Sequence, residues 1–260
     1  MSQATNASSK TDAPRQNPIT LATYFRSGLF YALLICYTAI YGVFLSLSSL
    51  FLPLEYRSQL ARIWATGTLA MARLICGVRY QITGLENIPD KPCVVMSKHQ
   101  SAWETYFLQK LFVPQATVLK AELLKIPVFG LALKMLEPIA IDRSLKRNAL
   151  KEVVKQGGER LADGRWVVIF PEGTRVAPGQ NSSFANSGAL LAQKNNAQVL
   201  PIAHNAGECW PGRSVLLTPG LIQLVIGPVI APEDLSTKEI GLQSQEWIAS
   251  TMKDISQFEG

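Results

Sequence analysis

From Gly28 to Leu54 the sequence runs for 27 residues without a charged side chain, and the fold must supply an apolar environment for that stretch. As an α-helix it would measure about 40 Å, longer than the roughly 30 Å hydrocarbon core of a bilayer. A cleavable signal peptide has a much shorter apolar core. A buried helix of a soluble protein is seldom so long and so uniformly apolar. The run therefore predicts a membrane segment.

The following stretch, up to Gly77, has one polar side. On a helical wheel Gln59, Arg62, Thr66 and Arg73 lie within about 80° of each other, and apolar residues fill the remainder. This pattern is typical of a helix in the membrane interface with its arginines toward lipid headgroups. Basic residues lie on both sides of the apolar run, so the positive-inside rule assigns no orientation.

We therefore predict a two-helix membrane anchor over residues 20–77, a hairpin dipping into one leaflet rather than a span. Gly77 is expected to end its second helix. Residues 1–19 are polar and predict a disordered tail.

From residue 78 to 260 short apolar runs alternate with helical patterns, which predicts an α/β fold with a mostly parallel sheet flanked by helices. We interpret this part as one catalytic domain. The predicted strands are Arg79–Thr83, Cys93–Met96, Ala116–Leu119, Pro138–Ile141, Trp166–Phe170, Gln198–Ile202 and Leu221–Ile226. The predicted helices are around residues 101–112, 127–136, 145–162, 184–195 and 244–257.

The net charge of +6 and the pI near 9.2 favour an anionic partner: nucleic acid, a membrane surface or a phosphorylated substrate. No basic run is interleaved with aromatic residues, so nucleic acid is not expected. The four cysteines show no metal-ligand spacing and are predicted to be free thiols in a reducing cytosol. With two histidines and no His-Glu-x-x-His motif, no metal site is predicted, and we expect no cofactor.

The eight residues Ser97-Lys98-His99-Gln100-Ser101-Ala102-Trp103-Glu104 join a strand predicted to end at Lys98 to a helix predicted to begin near Ser101. His99 then lies in the turn at the carboxyl end of a strand, where open α/β sheets place ligand-binding groups. Glu104, in the first helical turn, can reach it. Ser-x-x-Glu is also a capping box, so the spacing alone allows Glu104 to be catalytic or to cap Ser101.

Polar residues follow four of the predicted strands. They are His99, Asp142-Arg143, Pro171-Glu172-Gly173-Thr174-Arg175 and His204-Asn205. In a mostly parallel sheet all four groups gather along one edge. Each has an ordinary local explanation, but their common position favours a shared site.

The residue types at that edge suggest a chemistry. Arg143 and Arg175 are planar donors suited to phosphate, and Lys120 adds a point charge. His99 is a good general base, and Glu104 can orient its ring. Because Gly-x-Ser-x-Gly is absent, no enzyme nucleophile is predicted. The pattern predicts deprotonation of a substrate hydroxyl beside a phosphate clamp, with an activated donor such as a thioester.

Lys98-His99-Gln100-Ser101-Ala102-Trp103-Glu104 together with Phe170-Pro171-Glu172-Gly173-Thr174-Arg175 resembles the glycerolipid acyltransferases, specifically the bacterial 1-acyl-glycerol-3-phosphate acyltransferases. Four blocks mark that family, and here they correspond to His99–Glu104, Ile139–Arg143, Phe170–Arg175 and Val199–Ile202. The resemblance covers roughly residues 78–230, and the two helices before it are also similar. The family's acid is usually aspartate. Glu104 carries one more methylene, which moves the carboxylate by about 1.5 Å on an unchanged backbone.

The resemblance implies transfer of a fatty acyl chain from acyl-CoA or acyl-carrier protein to the 2-hydroxyl of 1-acyl-glycerol-3-phosphate (lysophosphatidate), which gives phosphatidate. His99 would be the base and Glu104 its partner, with His204 the remaining candidate base. Arg143, Arg175 and Lys120 would bind phosphate, together with the loop of Glu172, Gly173 and Thr174, in which Glu172 fixes the loop or the arginines.

The resemblance also implies membrane lipids as partners and a place at the inner membrane, with the catalytic domain on the cytoplasmic face. Two alternatives stay open. One is an acyltransferase for another acceptor, such as glycerol-3-phosphate, a lysophospholipid or a lyso-aminolipid. The other is a non-catalytic, membrane-tethered lipid-binding protein.

Overall fold

The structure, a computed structural model, describes residues 19–142, 146–180 and 182–258, so most of the predicted N-terminal tail lies outside it. Two long helices come first, α1 (Leu21–Ser48) and α2 (Leu54–Cys76). They are antiparallel, because the Cys76 thiol lies 3.6 Å from the Arg26 carbonyl and the Tyr41 hydroxyl donates to the Leu60 carbonyl at 3.0 Å. Gly77 ends α2 with a φ of 72°, which confirms the predicted stop.

Within the described residues, seven strands form one sheet. They are β1 (Val78–Thr83), β2 (Val94–Ser97), β3 (Gln115–Lys120), β4 (Ile139–Ile141), β5 (Trp166–Ile169), β6 (Val199–His204) and β7 (Gly220–Ile226). Their order across the sheet is β1-β7-β6-β2-β5-β3-β4. The five strands from β6 to β4 are parallel, β7 is antiparallel to β6, and β1 is parallel to β7. The predicted mostly parallel sheet is confirmed.

Five further helices are α3 (Trp103–Leu111), α4 (Phe129–Lys134), α5 (Lys146–Ala162), α6 (Ser187–Lys194) and α7 (Thr237–Ile255). Their positions match the predicted helices except at α7, which begins at Thr237 and not near residue 244. Ser236 and Glu239 form a reciprocal capping box there, so the missed start carried a recognisable sequence signal.

Side chains alternate between the two faces of the sheet with the period of two that a strand imposes. Val95, Val168 and Leu200 pack on the side of α3 and the N-terminal helices. Val94 and Val167 face the opposite core with α5 and α6. Because both faces are covered, β2, β5 and β6 are buried throughout, as expected for central parallel strands.

The N-terminal hairpin and the sheet share one hydrophobic core. Phe30 and Leu34 of α1 and Leu69 of α2 belong to the same buried cluster as Trp103 of α3 and Leu200 of β6. The predicted boundary between the anchor and the catalytic domain, at residues 77 and 78, is therefore the boundary between α2 and β1. The residues on its two sides belong to the same hydrophobic core.

The outer side of α1 is apolar and exposed. Leu21, Phe25, Ile35 and Ile40 are each at least two-thirds exposed. By length and composition, α1 is the one helix in the described residues that could cross a membrane. On α2 the predicted polar face of Gln59, Arg62, Thr66 and Arg73 is exposed.

Candidate active site

His99 and Glu104 meet at the carboxyl end of β2. The chain leaves β2 after Ser97 and enters α3 at Trp103, which places Glu104 in the first helical turn. Nδ1 of His99 lies 2.8 Å from Oε1 of Glu104. The additional methylene of glutamate therefore permits a contact of normal hydrogen-bond length.

The carboxylate of Glu104 also organises the turn. Its Oε1 accepts the backbone N–H groups of Gln100 at 3.1 Å and Ser101 at 2.9 Å. In a complete capping box the Ser101 hydroxyl would also accept the backbone N–H of Glu104. Here Ser101 Oγ accepts the Trp103 N–H instead. One carboxylate oxygen thus contacts both the His99 ring and the turn before α3, which is compatible with both roles that the spacing left open.

The protonation of the pair follows from these contacts. Burial raises the pKa of Glu104, but the interactions with His204, His99 and the Ser101 N–H outweigh it and hold that pKa below its usual value. An anionic Glu104 requires His99 to carry its proton on Nδ1. The Nε2 lone pair then remains available as a base.

The ring and backbone of His99 are both held. The ring stacks on Phe170 with centroids 4.1 Å apart and planes inclined by 19°. The His99 N–H donates to Oε1 of Glu172 at 3.3 Å, and the His99 carbonyl accepts from Val176 N–H at 2.8 Å. The imidazole side chain keeps 15% of its surface exposed, so it is not sealed from solvent.

Glu172 is turned inward, away from solvent. Its buried carboxylate pairs with Lys98, whose Nζ lies 3.4 Å from Oε1. Burial raises the pKa of Glu172 against the opposing effect of Lys98. The Glu172 side chain has no exposed surface, so no contact surface for a substrate phosphate remains on it. Its role of fixing the loop stays a prediction. Lys98 was not predicted as part of the site.

His204 lies on the same edge, at the end of β6, but beneath the site. Its ring is fully buried, with Nε2 2.8 Å from the Lys98 carbonyl. The alternative in which His204 is the base therefore has no solvent-facing imidazole to support it.

Two of the predicted phosphate ligands, Arg175 and Lys120, lie at the same edge. Arg175 is half-buried after the β5 turn, in which Gly173 has a φ of 70° and Thr174 is exposed. Lys120 is exposed at the end of β3, two strands from β2, which corresponds to about 10 Å. Arg143 lies outside the described residues, so its predicted role stays a prediction.

Arg213, like Lys98, was not predicted from the sequence as part of this edge. Arg213 lines a cavity of about 370 Å³ together with Arg175, and the remaining walls are largely apolar. Those walls include Tyr31 and Leu34 of α1, Tyr106 of α3, Trp210 and Val215. The segment that carries Arg213 has no hydrophobic period, so the sequence offered no signal for it.

Gly212 brings that segment against Arg175. Its N–H donates to the Gln100 carbonyl at 3.1 Å. A Cβ on Gly212 would lie 2.6 Å from Cδ of Arg175 and 2.8 Å from the Gln100 carbonyl oxygen. The aliphatic part of the Arg175 side chain therefore rests on a surface that only glycine provides.

The sequence that forms this site is similar to that of known acyltransferases. A family model described as Acyltransferase matches residues 79–205. A 1-acyl-sn-glycerol-3-phosphate acyltransferase of Pseudomonas aeruginosa is 45% identical over 235 residues, 89% of this chain and 91% of the relative. The chain belongs to the 1-acyl-sn-glycerol-3-phosphate acyltransferase family.

More distant members agree with this family membership. A 1-acyl-sn-glycerol-3-phosphate acyltransferase of Chlamydomonas reinhardtii is 31% identical over 182 residues, 68% of this chain and 54% of the relative. The alignment thus spans about half the length of the algal protein. The crystal structure of a 1-acyl-sn-glycerophosphate acyltransferase from Thermotoga maritima matches with a TM-score of 0.75 at 24% identity, covering 89% of this chain and 95% of the other. The match to the crystal structure shows a shared fold.

Among the described residues, no group of three or more His, Cys, Asp or Glu side chains is placed to hold a metal ion.

Proposed function

We propose that the protein transfers a fatty acyl group from a thioester donor to the 2-hydroxyl of 1-acyl-glycerol-3-phosphate, forming phosphatidate. The observation that carries this proposal is the 2.8 Å contact between His99 and Glu104, set beside the arginine-lined cavity. The names of the relatives in the same family support the same acceptor.

In the proposed reaction Nε2 of His99 takes the proton of the 2-hydroxyl, and the oxygen attacks the thioester carbonyl. Glu104 stabilises the imidazolium that forms. The tetrahedral intermediate collapses by breaking the C–S bond, and the imidazolium returns its proton to the thiolate that leaves. The products are phosphatidate and the free thiol of the donor.

The transfer is direct, without an acyl-enzyme intermediate. Burial raises the pKa of Cys93 and of Cys209 to about 12, so both thiols stay protonated near neutral pH. The Ser101 hydroxyl is buried and accepts the Trp103 N–H. Neither type of side chain is activated as a nucleophile beside His99.

Arg175 and Arg213 hold the phosphate of the acceptor, with Lys120 assisting from the end of β3. Arg143, outside the described residues, stays a predicted phosphate ligand. In the part of the chain that the structure describes, Arg175, Arg213 and Lys120 form no ion pair with an acidic side chain. Their charge is therefore available to a ligand. The apolar walls from α1 suit the acyl chain of lysophosphatidate, which continues from the cavity along the exposed side of α1.

The hairpin of α1 and α2 anchors the protein in one leaflet of the cytoplasmic membrane, with the site at its cytoplasmic surface. Both ends of the hairpin lie together, and its inner side is part of the core of the catalytic domain. A full span by α1 would remove Phe30 and Leu34 from that core. The exposed apolar side of α1 and the arginines of α2 fit hydrocarbon and headgroups, respectively.

The function is tested by acyl transfer with purified protein, both donors and a panel of acceptors. Acyl-CoA and acyl-carrier protein are each offered with lysophosphatidate, glycerol-3-phosphate, lysophosphatidylcholine, a lyso-aminolipid and monoacylglycerol. We expect phosphatidate as the main product with at least one donor. Preferred use of another acceptor, or absence of any transfer, would contradict the proposal.

The anchor is tested by side-specific labelling in sealed vesicles. In a Cys36→Ser background the remaining cysteines are buried, so Ile19→Cys or Asp90→Cys supplies one reactive thiol. A hairpin predicts that an impermeant maleimide labels both positions from the same side. Labelling from opposite sides would show a span.

A further inference from the structure

The peptide bond between Lys98 and His99 is held at both of its polar atoms. Its carbonyl oxygen lies 2.8 Å from Nε2 of His204 and also accepts from the Ser97 hydroxyl at 3.1 Å. Its N–H donates to Oε1 of Glu172 at 3.3 Å. His204 comes from β6 and Glu172 from the turn after β5, the two strands on either side of β2. The peptide that sets the direction of the His99 side chain is thus fixed from both neighbours.

The hydrogen-bond partners of His204 settle its tautomer. A carbonyl oxygen only accepts, so Nε2 must carry the proton, and Nδ1 accepts the Ala206 N–H at 3.3 Å. Both ring nitrogens are therefore satisfied in a neutral imidazole. Burial lowers the pKa of His204, which favours the same neutral form. In that form His204 acts on Glu104 through the dipole of its N–H and not through a full positive charge.

The carboxylate of Glu104 also lies close to Nε2 of His204, beyond hydrogen-bond distance. Nε2 of His204 lies 3.9 Å from Oε2 of Glu104. That oxygen is buried and has no hydrogen-bond partner among the described residues, whereas Oε1 accepts from His99 and two backbone N–H groups. The positive end of the His204 N–H dipole therefore lies beside the unsatisfied half of the carboxylate.

We propose that His204 is a positioning residue for acyl transfer, whose single buried N–H orients both the Lys98–His99 peptide and the Glu104 carboxylate. The proposal rests on the proposed function in so far as His99 is the base. It assigns His204 a role through His99 and Glu104 and no contact with substrate.

A role in packing alone makes a different prediction. The His204 ring lies 6.3 Å from the Trp103 ring inside the core, so an aromatic replacement would preserve packing there. His204→Phe keeps a ring of similar shape and loses the donor. His204→Gln loses the ring and can present its amide N–H near the position of Nε2. The two roles therefore rank these variants in opposite orders.

The first experiment measures acyl transfer to lysophosphatidate by both variants. We expect His204→Phe to lower kcat by about 10- to 100-fold with KM for the acceptor within about twofold, since one orienting hydrogen bond is lost. His204→Gln should recover activity to within about fivefold of wild type. Equal activity of the two variants, or a more active His204→Phe, would overturn the proposal.

The second experiment does not depend on activity. The chain has two histidines, so ¹⁵N-imidazole spectra of His204→Phe and His204→Gln report His99 alone. We expect His99 protonated on Nδ1 in wild type and in His204→Gln, and a mixture of tautomers in His204→Phe. A wild-type His99 spectrum in His204→Phe would contradict the positioning role.

If His204→Phe does not fold, a second pair of variants, His204→Asn and His204→Gln, tests the same role. His204→Asn is also polar, but its shorter side chain cannot reach the Lys98 carbonyl. His204→Gln should then show the wild-type His99 tautomer and at least about tenfold higher kcat than His204→Asn, and equality of the pair would overturn the proposal. If wild type transfers no acyl group to lysophosphatidate, the proposed function fails, while the spectra still decide the role of His204.

Discussion

The base end of the proposed site and its phosphate end differ in how the protein satisfies their polar groups. At the base end, Nδ1 of His99 and Oε1 of Glu104 are hydrogen-bonded to each other. The flanking backbone is held by further hydrogen bonds. At the phosphate end, Arg175, Arg213 and Lys120 form no ion pair with any described residue. The proposed base is thus held in position before substrate binds, whereas the proposed phosphate ligands keep their positive charge for the substrate.

This difference has an energetic basis. A hydrogen-bonded pair that is already oriented requires no reorganisation when the proton moves. An arginine that is already paired with a carboxylate would have to give up that partner before it could bind phosphate. We therefore expect changes at the base end to act on kcat, and changes at the phosphate end to act on the use of a phosphate-bearing acceptor.

The largest expected effect is that of His99→Ala. Removal of the base should lower kcat by about 100- to 10,000-fold, the usual contribution of general-base catalysis, and leave acceptor KM nearly unchanged. Steady-state kinetics with lysophosphatidate measures both, with circular dichroism as the control for folding. Activity near that of wild type would mean that the base lies elsewhere.

At the phosphate end, Arg175→Lys keeps the charge and loses the planar, two-pronged donor. A lost charge-assisted contact is worth roughly 1.5–3 kcal/mol, which corresponds to about 10- to 150-fold in kcat/KM for lysophosphatidate. Arg79→Lys, at an exposed arginine of β1, is the matched control and should behave as wild type. If both variants are equally active, the geometry of the Arg175 side chain is not used.

Glu104→Asp tests the reach of the dyad. The carboxylate would withdraw by about 1.5 Å, which breaks the 2.8 Å contact with His99 on an unchanged backbone. We expect kcat to fall by about 10- to 100-fold at nearly constant acceptor KM. An aspartate variant with full activity would show that α3 adjusts and that the observed length of the side chain is not required.

The smallest expected effect is that of Gly212→Ala. The new methyl group would push the Arg175 side chain from its position, because Cδ lies 2.6 Å from the added Cβ. We expect acceptor KM to rise by about three- to tenfold, with a smaller fall in kcat because the same Cβ would lie 2.8 Å from the Gln100 carbonyl oxygen beside His99. The control is Gly241→Ala in α7, where a Cβ would meet Ala189 at an ordinary 3.7 Å. Equal KM values in the two variants would show that Gly212 does not position the Arg175 side chain for acceptor binding.

The sequence predicts the sheet well because central parallel strands must be apolar on both faces. β2, β5 and β6 are buried throughout and read as short apolar runs that end in polar residues. The position of His99 at a strand end follows from the same pattern. The start of α7 was missed although the Ser236–Glu239 capping box marks it.

Other parts of the site depend on contacts between distant segments and leave no local pattern. Lys98 follows an apolar strand, and only the fold shows that its buried ammonium pairs with Glu172. Arg213 reaches the site because Gly212 packs on Arg175 and Gln100. The spacing of Ser101 and Glu104 allowed two roles, and only the fold shows that one oxygen of Glu104 contacts both the His99 ring and the Ser101 N–H.

The division of roles between the two ends is tested most directly by kcat/KM for lysophosphatidate and for its dephosphorylated counterpart, monoacylglycerol. Wild type, His99→Ala and Arg175→Ala are compared, with folding checked for each. We predict that His99→Ala lowers both values by the same factor, whereas Arg175→Ala lowers the value for lysophosphatidate and leaves that for monoacylglycerol nearly unchanged. An equal loss for both acceptors in Arg175→Ala would contradict the account and make Arg175 a structural residue.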